Sequence, residues 1–162
     1  MLIQFKRFQS KLLPLLGLSL ALIIAGCGGG DSASDPSDIY VGTWKSKCYL
    51  YSTGVYTQRI RYVTKSSATQ MVSNIPNTNA YSDASCSVLV GTGTLSHVSG
   101  TFNLGAKTTF QGQSVDSYTY VSVSGTNYSG YMTVNGSNLF VAFTTTAVLP
   151  TDWSVESPYT KQ

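Results

Sequence analysis

From Ile39 onward, β-branched and aromatic residues recur in runs of five to ten, with Gly, Asn, Ser and Asp between them. Runs of this length and punctuation are strand signals, and no window sustains the 3.6-residue period of an amphipathic helix. The pattern restricts the chain to an all-β domain. It predicts strands near residues 40–51, 55–64, 68–75, 86–92, 93–98, 100–104, 114–124, 128–134 and 138–145. The strongest turn is Asn135-Gly136, a pair that accepts the positive φ angles of a two-residue hairpin loop. Gly91, Gly93, Gly100, Gly125 and Gly130 punctuate the rest. Links this short imply an antiparallel meander of about eight or nine strands. Such a meander either closes into a barrel or folds into two packed sheets. Closure removes exposed edges, which matters for a chain rich in Thr, Val and Tyr, so a barrel is the expected form. The tail after Leu149-Pro150 is expected to cover one end through Trp153 and Tyr159.

The 162 residues leave room for one domain, because the first 26 look like a leader. Lys6, Arg7 and Lys11 make a basic start, and an apolar stretch runs from Leu12 to Ile24. That stretch is too short for a stable membrane-spanning helix, which needs roughly 20 residues. It ends Ile24-Ala25-Gly26-Cys27, which resembles the lipobox of bacterial lipoproteins: an aliphatic residue, two small residues, then cysteine. The resemblance implies that the Cys27 thiolate, a strong nucleophile, accepts a diacylglycerol. Each buried CH₂ of such an anchor contributes about 0.8 kcal/mol. Gly28 stands where lipoproteins retained in the inner membrane usually carry aspartate, which implies the outer membrane. Residues 27–38 bury nothing apolar and read as a flexible tether, leaving 39–162 as the domain.

The excess positive charge lies in the leader. From Cys27 onward, Lys45, Lys47, Arg59, Arg61, Lys65, Lys107 and Lys161 are balanced by Asp31, Asp35, Asp38, Asp83, Asp116, Asp152 and Glu156. A neutral domain has no general attraction for nucleic acid.

Beyond Cys27, Cys48 and Cys86 are an even pair, and in an oxidising compartment they are expected to form one structural disulfide. Nearby stands Gly42-Thr43-Trp44. This Gly-x-Trp resembles the one on the first strand of lipocalin-like (calycin) barrels, where the indole lies across the closed end. With Cys48 a few residues on and Tyr81-Ser82-Asp83-Ala84-Ser85-Cys86 later, the stretch from about Tyr40 to Leu104 resembles the lipocalin-like domain of the adenomatosis-polyposis-coli down-regulated proteins. The resemblance implies a barrel with Gly42 and Trp44 in structural roles. Many lipocalins stack an arginine from the last strand on this tryptophan, whereas here no arginine follows Arg61.

Lys45 and Lys47 alternate with Trp44, Ser46 and Cys48, and Arg59 and Arg61 alternate with Ile60 and Tyr62. Period-two geometry then turns Trp44, Cys48, Ile60 and Tyr62 inward and all four basic residues outward. The outer face of that hairpin would be either a solvated wall or a binding site for an anionic envelope component. Tyr49, Tyr51, Tyr56, Tyr118, Tyr120, Tyr128 and Tyr131 are expected to fill the core or brace cross-strand pairs rather than to stack on ligands.

Enzyme signals are thin. His97 is the sole histidine, and a triad would need Asp83 or Asp116 and a serine to converge on it without any nucleophile elbow. Asp83 reads instead as an Asx-turn residue. No metal or cofactor is expected. The sequence therefore leads to an envelope-anchored, monomeric, non-enzymatic binding lipoprotein for a small apolar ligand or an anionic envelope component. The alternative is a protein-interaction or inhibitor module at the cell surface.

Overall fold

The computed structural model describes residues 34–94, 99–145 and 148–162; the expected leader, Cys27 and His97 lie outside them. A 3-10 turn, Asp38–Tyr40, precedes eleven strands: β1 Gly42–Ser46, β2 Tyr49–Ser52, β3 Val55–Lys65, β4 Gln70–Asn74, β5 Asn77–Tyr81, β6 Leu89–Thr94, β7 Gly100–Phe110, β8 Gln113–Ser122, β9 Asn127–Asn135, β10 Asn138–Thr144 and β11 Tyr159–Lys161. All pairings are antiparallel. The neighbour order β1-β11-β10-β9-β8-β7-β4-β3 returns to β1 through a β1–β3 pairing, so eight strands close a barrel. One disulfide joins Cys48 to Cys86 across a Cα–Cα distance of 5.8 Å. The all-β, lipocalin-like barrel with one disulfide is the architecture expected from the strand pattern.

Three strands run past the barrel rim. The first half of β3 pairs with β2 on one side and β5 on the other, and β6 pairs with β5. This makes a four-stranded extension, β2-β3-β5-β6, continuous with the barrel wall. β5, with its sequence Asn77-Thr78-Asn79-Ala80-Tyr81, is not among the expected strands, since Asn is depleted in strands. Pairing on both edges overrides that propensity.

The barrel is largely filled. Tyr40, Trp44, Val63, Met71, Phe102, Tyr118, Met132, Leu139, Val141 and Tyr159 form one buried cluster. Trp44 is 0% exposed, and its indole N–H donates to the Tyr40 carbonyl at 2.7 Å. The Tyr40 hydroxyl in turn donates to Asp116 at 2.6 Å. Together these close the barrel end nearest the 3-10 turn. Lys161 of β11 sits opposite Trp44 in register, its Nζ 5.3 Å from the ring centroid. The last strand thus places a lysine over this tryptophan. Gly42 has φ +142°, a backbone that disfavours side chains, and an added Cβ would meet Lys161 Cε at 3.1 Å.

Two expectations on chain organisation are corrected. The end of the tether is packed: Ser37 is buried with its hydroxyl on the Ser67 carbonyl, and Asp35 and Asp38 both pair with Lys65. These contacts hold the 3-10 turn against the β3–β4 loop, so residues 35–38, read from the sequence as tether, pack against the domain. Nor does Trp153 cover a barrel end. It joins Phe110, Val115, Tyr131 and Ala142 in a separate cluster, meeting the Phe110 ring edge-on at 4.8 Å. Tyr131 and Ala142 are register partners on the wall face opposite Met132 and Val141. The Trp153 part of the tail is therefore stapled to the outside of the barrel, while Tyr159 of the same tail is buried in the main cluster.

Gly130 marks the tightest approach between strands: an added Cβ would lie 1.8 Å from the Ala142 carbonyl oxygen. Gly130→Ala should force β9 and β10 apart and destabilise the domain by about 1–3 kcal/mol, as overpacking typically does. Urea unfolding of the two proteins measures this.

Candidate functional site

Strand β3 decides where the site lies. β1 and β3 pair antiparallel, with Trp44 opposite Arg61 and Lys45 opposite Ile60. Directly opposed residues point to the same face, so an inward Trp44 carries Arg61 inward with it. Arg61 is only 7% exposed, and Val63 and Thr57 share its buried face, whereas Tyr62 is exposed. The expected four-residue basic wall is therefore corrected. Lys47 faces solvent and Lys45 is half-buried, but Arg59 and Arg61 belong to the interior, and Ile60 and Tyr62 do not.

Arg59 and Arg61 line a recess at the barrel end opposite Tyr40, together with Glu156, Ile75, Val141 and the rings of Phe102, Tyr118, Tyr120, Tyr128 and Phe143. Its volume is about 80 Å³. Arg59 Nη1 donates to Glu156 Oε1 at 2.7 Å, both side chains nearly buried. The other oxygen of Glu156 accepts from the Tyr159 hydroxyl. The Arg61 guanidinium lies between the Phe102 and Tyr159 rings, 5.6 and 5.2 Å from their centroids. It donates to Ser73 Oγ at 3.0 Å and to the Tyr159 hydroxyl at 3.4 Å. Burial opposes the charge on Arg61, but nearby Tyr159 and Glu156 outweigh it and raise its pKa. Burial also pushes the Tyr159 and Tyr118 hydroxyls up, keeping both protonated. The Nε–H groups of Arg59 and Arg61 have no hydrogen-bond partner among the described residues.

The recess thus gathers the only two arginines beyond Arg7 and the only glutamate in the chain. Sequence reasoning missed Glu156, Tyr159 and Ser73 as site residues. The rarity of Glu and Arg was a usable signal; the position of Glu156 in an apparent tail hid it.

The remaining candidates stay apart. Asp83 closes its own loop, accepting from the backbone N–H groups of Ser85, Ser87 and Val88 and from the Ser85 and Ser87 hydroxyls. Those bonds, led by that of Ser85, hold its carboxyl below the usual range. Asp116 is buried and bound by Tyr40 and Lys107. Among the described residues no three His, Cys, Asp or Glu side chains cluster as metal ligands would. Comparison with family models, curated proteins and solved structures gave no match for this chain.

Arg59→Gln should lower stability by about 2 kcal/mol, since it leaves Glu156 buried without its cation. Lys45→Gln with Lys47→Gln should stay within about 0.5 kcal/mol of the parent, as surface changes usually do. Parallel thermal melts distinguish the inward pair from the outward one.

Proposed function

We propose that the chain is a non-enzymatic binding lipoprotein of the cell envelope. It is acylated at Cys27, held to the outer membrane by that anchor, and takes a small ligand into the recess at the open end of the barrel as a monomer. The observation that carries this reading is the recess itself. It is a recess in an otherwise well-filled interior, and the buried Nε–H groups of Arg59 and Arg61 beside it have no acceptor among the described residues. A buried polar group without a partner destabilises a fold by about 1–3 kcal/mol, so such donors favour a ligand that supplies acceptors.

Two measurements test the two halves of the proposal. Cys27→Ser removes the acyl acceptor, so cells fed a fatty-acid analogue should label the parent chain and not the variant; equal labelling refutes the anchor. For the recess, a panel of small neutral, anionic and cationic compounds is screened by thermal unfolding. A compound that binds the native state and is present at a hundred times its Kd adds about 2.7 kcal/mol of stability. A panel in which no class raises Tm refutes the ligand site.

A second reading, a protein-interaction module, is favoured by one observation. Edge strand β6 pairs only with β5, carries no charge, and exposes Leu89 and Val90 next to Val88. Unprotected apolar edges are templates for another strand. Val90→Lys should abolish capture of a protein partner and leave any small-molecule stabilisation unchanged; loss of the latter instead would argue against two separate surfaces.

A further inference from the structure

The charge balance of the recess names the chemistry of its ligand, an inference that rests on the recess being a ligand site. Two guanidinium groups enter it, and one carboxylate answers them. Glu156 is committed to Arg59 at 2.7 Å. Arg61 forms no ion pair among the described residues; its partners, Ser73 and Tyr159, are neutral hydroxyls. The site therefore holds one cation in excess, on a side chain more than nine-tenths buried. Burying a charge without a counter-charge is strongly unfavourable, and a guanidinium fork matches the two oxygens of an oxyanion.

We propose that the recess binds a small organic monocarboxylate with an aromatic or short-chain body, its carboxylate on Arg61 and its body against Phe102, Tyr128 and Phe143.

Three features support this class over other anions. The excess is a single positive charge, which a monocarboxylate neutralises and a phosphate, near two negative charges, overshoots. Apart from Arg59, Arg61 and Glu156, the lining is aliphatic or aromatic, and at the rim Phe143 meets Tyr128 edge-on at 5.8 Å. Such walls take up an apolar body, for which an inorganic ion has no counterpart. The volume is too small to enclose a long acyl chain, which favours a short or compact body. At about 80 Å³ the recess is smaller than the roughly 150 Å³ apolar cavity that accommodates benzene. It encloses the carboxylate and the carbons next to it, while the body rests on the rim rings. Arg59 and Arg61 both line the recess, and Arg61 is the one whose charge no carboxylate contacts among the described residues.

The test titrates the full chain in lipid nanodiscs, with empty discs as blank, against phenylacetate, phenylacetamide, phenethylamine, inorganic phosphate and dodecanoate. Phenylacetate should bind saturably at one site, and the neutral amide and the amine at least tenfold more weakly. Arg61→Met, which keeps an unbranched apolar side chain in place, should erase the preference for phenylacetate over phenylacetamide. The comparison among probes on the parent chain decides the question even if that variant does not fold. Equal binding of phenylacetamide overturns the carboxylate assignment and leaves an apolar ligand site. Phosphate competing on equal terms overturns the apolar body. Dodecanoate binding more tightly than phenylacetate overturns the size limit. If none of the five binds but other compounds of the thermal panel raise Tm, this proposal falls and the ligand site stands; if nothing raises Tm, both fall.

Discussion

Trp44→Ala is expected to remove about 3–5 kcal/mol, the usual cost of truncating a large aromatic side chain in a core. The indole is fully buried, donates to the Tyr40 carbonyl, and carries Lys161 over its ring. Its loss leaves the cavity, loosens the 3-10 turn that closes the barrel end, and leaves the last strand without its cation–π contact. A domain of this size has roughly 5–15 kcal/mol of stability in total, so the variant should melt far below the parent and sit near the threshold of folding. Fluorescence offers an independent check. With Trp153 changed to Phe, the remaining emission should be blue-shifted and poorly reached by quenchers. Red-shifted, freely quenched emission, with stability unchanged by Trp44→Ala, would show that the indole is not in the core.

The second large effect concerns the Cys48–Cys86 bridge, which spans a sequence separation of 38. Closing a loop of that length restricts the unfolded chain by about 4 kcal/mol on the chain-entropy model. Cys48 stands at the junction of β1 and β2, and Cys86 in the loop between β5 and β6. The bridge therefore fastens the extension, β2-β3-β5-β6, at the point where it leaves the barrel. Cys48→Ser with Cys86→Ser should lower the urea midpoint accordingly. Amide exchange should accelerate most in β5 and β6, whose strand pairing to the rest of the domain, among the described residues, is to β3. Uniform acceleration across the barrel instead would mean that the extension and barrel unfold as one unit.

The strand periodicity, the β9–β10 hairpin, the barrel and the disulfide were legible in the sequence because each rests on local chemistry: alternation, turn residues and a cysteine pair. The hairpin loop itself is Gly136-Ser137, one residue later than expected, with Asn135 paired to Asn138 and only Gly136 at positive φ. The inward arginines were not, and the reason is one residue. Near the hairpin tip Tyr49 pairs with Thr57. Counting back from there without interruption would put Lys45 opposite Arg61 and Trp44 opposite Tyr62, which turns Tyr62 into the core and Arg61 out. The observed register has Trp44 opposite Arg61, so the β1–β2 side carries one extra residue between Lys45 and Tyr49. Such a bulge flips every side chain beyond it relative to the partner strand. Hydrophobicity alone favours Ile60 and Tyr62 inside, and only the register overrules it. β7 hides a similar irregularity: Gly105 reads as a strand end, yet the strand continues past a register shift between Leu104 and Lys107 to Phe110. Glu156 was out of reach for another reason. Its partner Arg59 lies 97 positions earlier, and no local pattern links a tail carboxylate to a strand so distant.

The β11 closure bears on how the chain comes to be folded. β11 consists of Tyr159–Lys161 and sits between β10 and β1. The ring of hydrogen bonds is therefore sealed by residues that leave the ribosome, and any translocation pore used N-terminus first, after all the other strands. Until they arrive, Trp44 lacks Lys161, Glu156 and Tyr159 are missing from beside Arg61, and β1 has an open edge. Contacts this distant in sequence also form slowly. The barrel is thus kept from closing by its own topology until β11 has emerged.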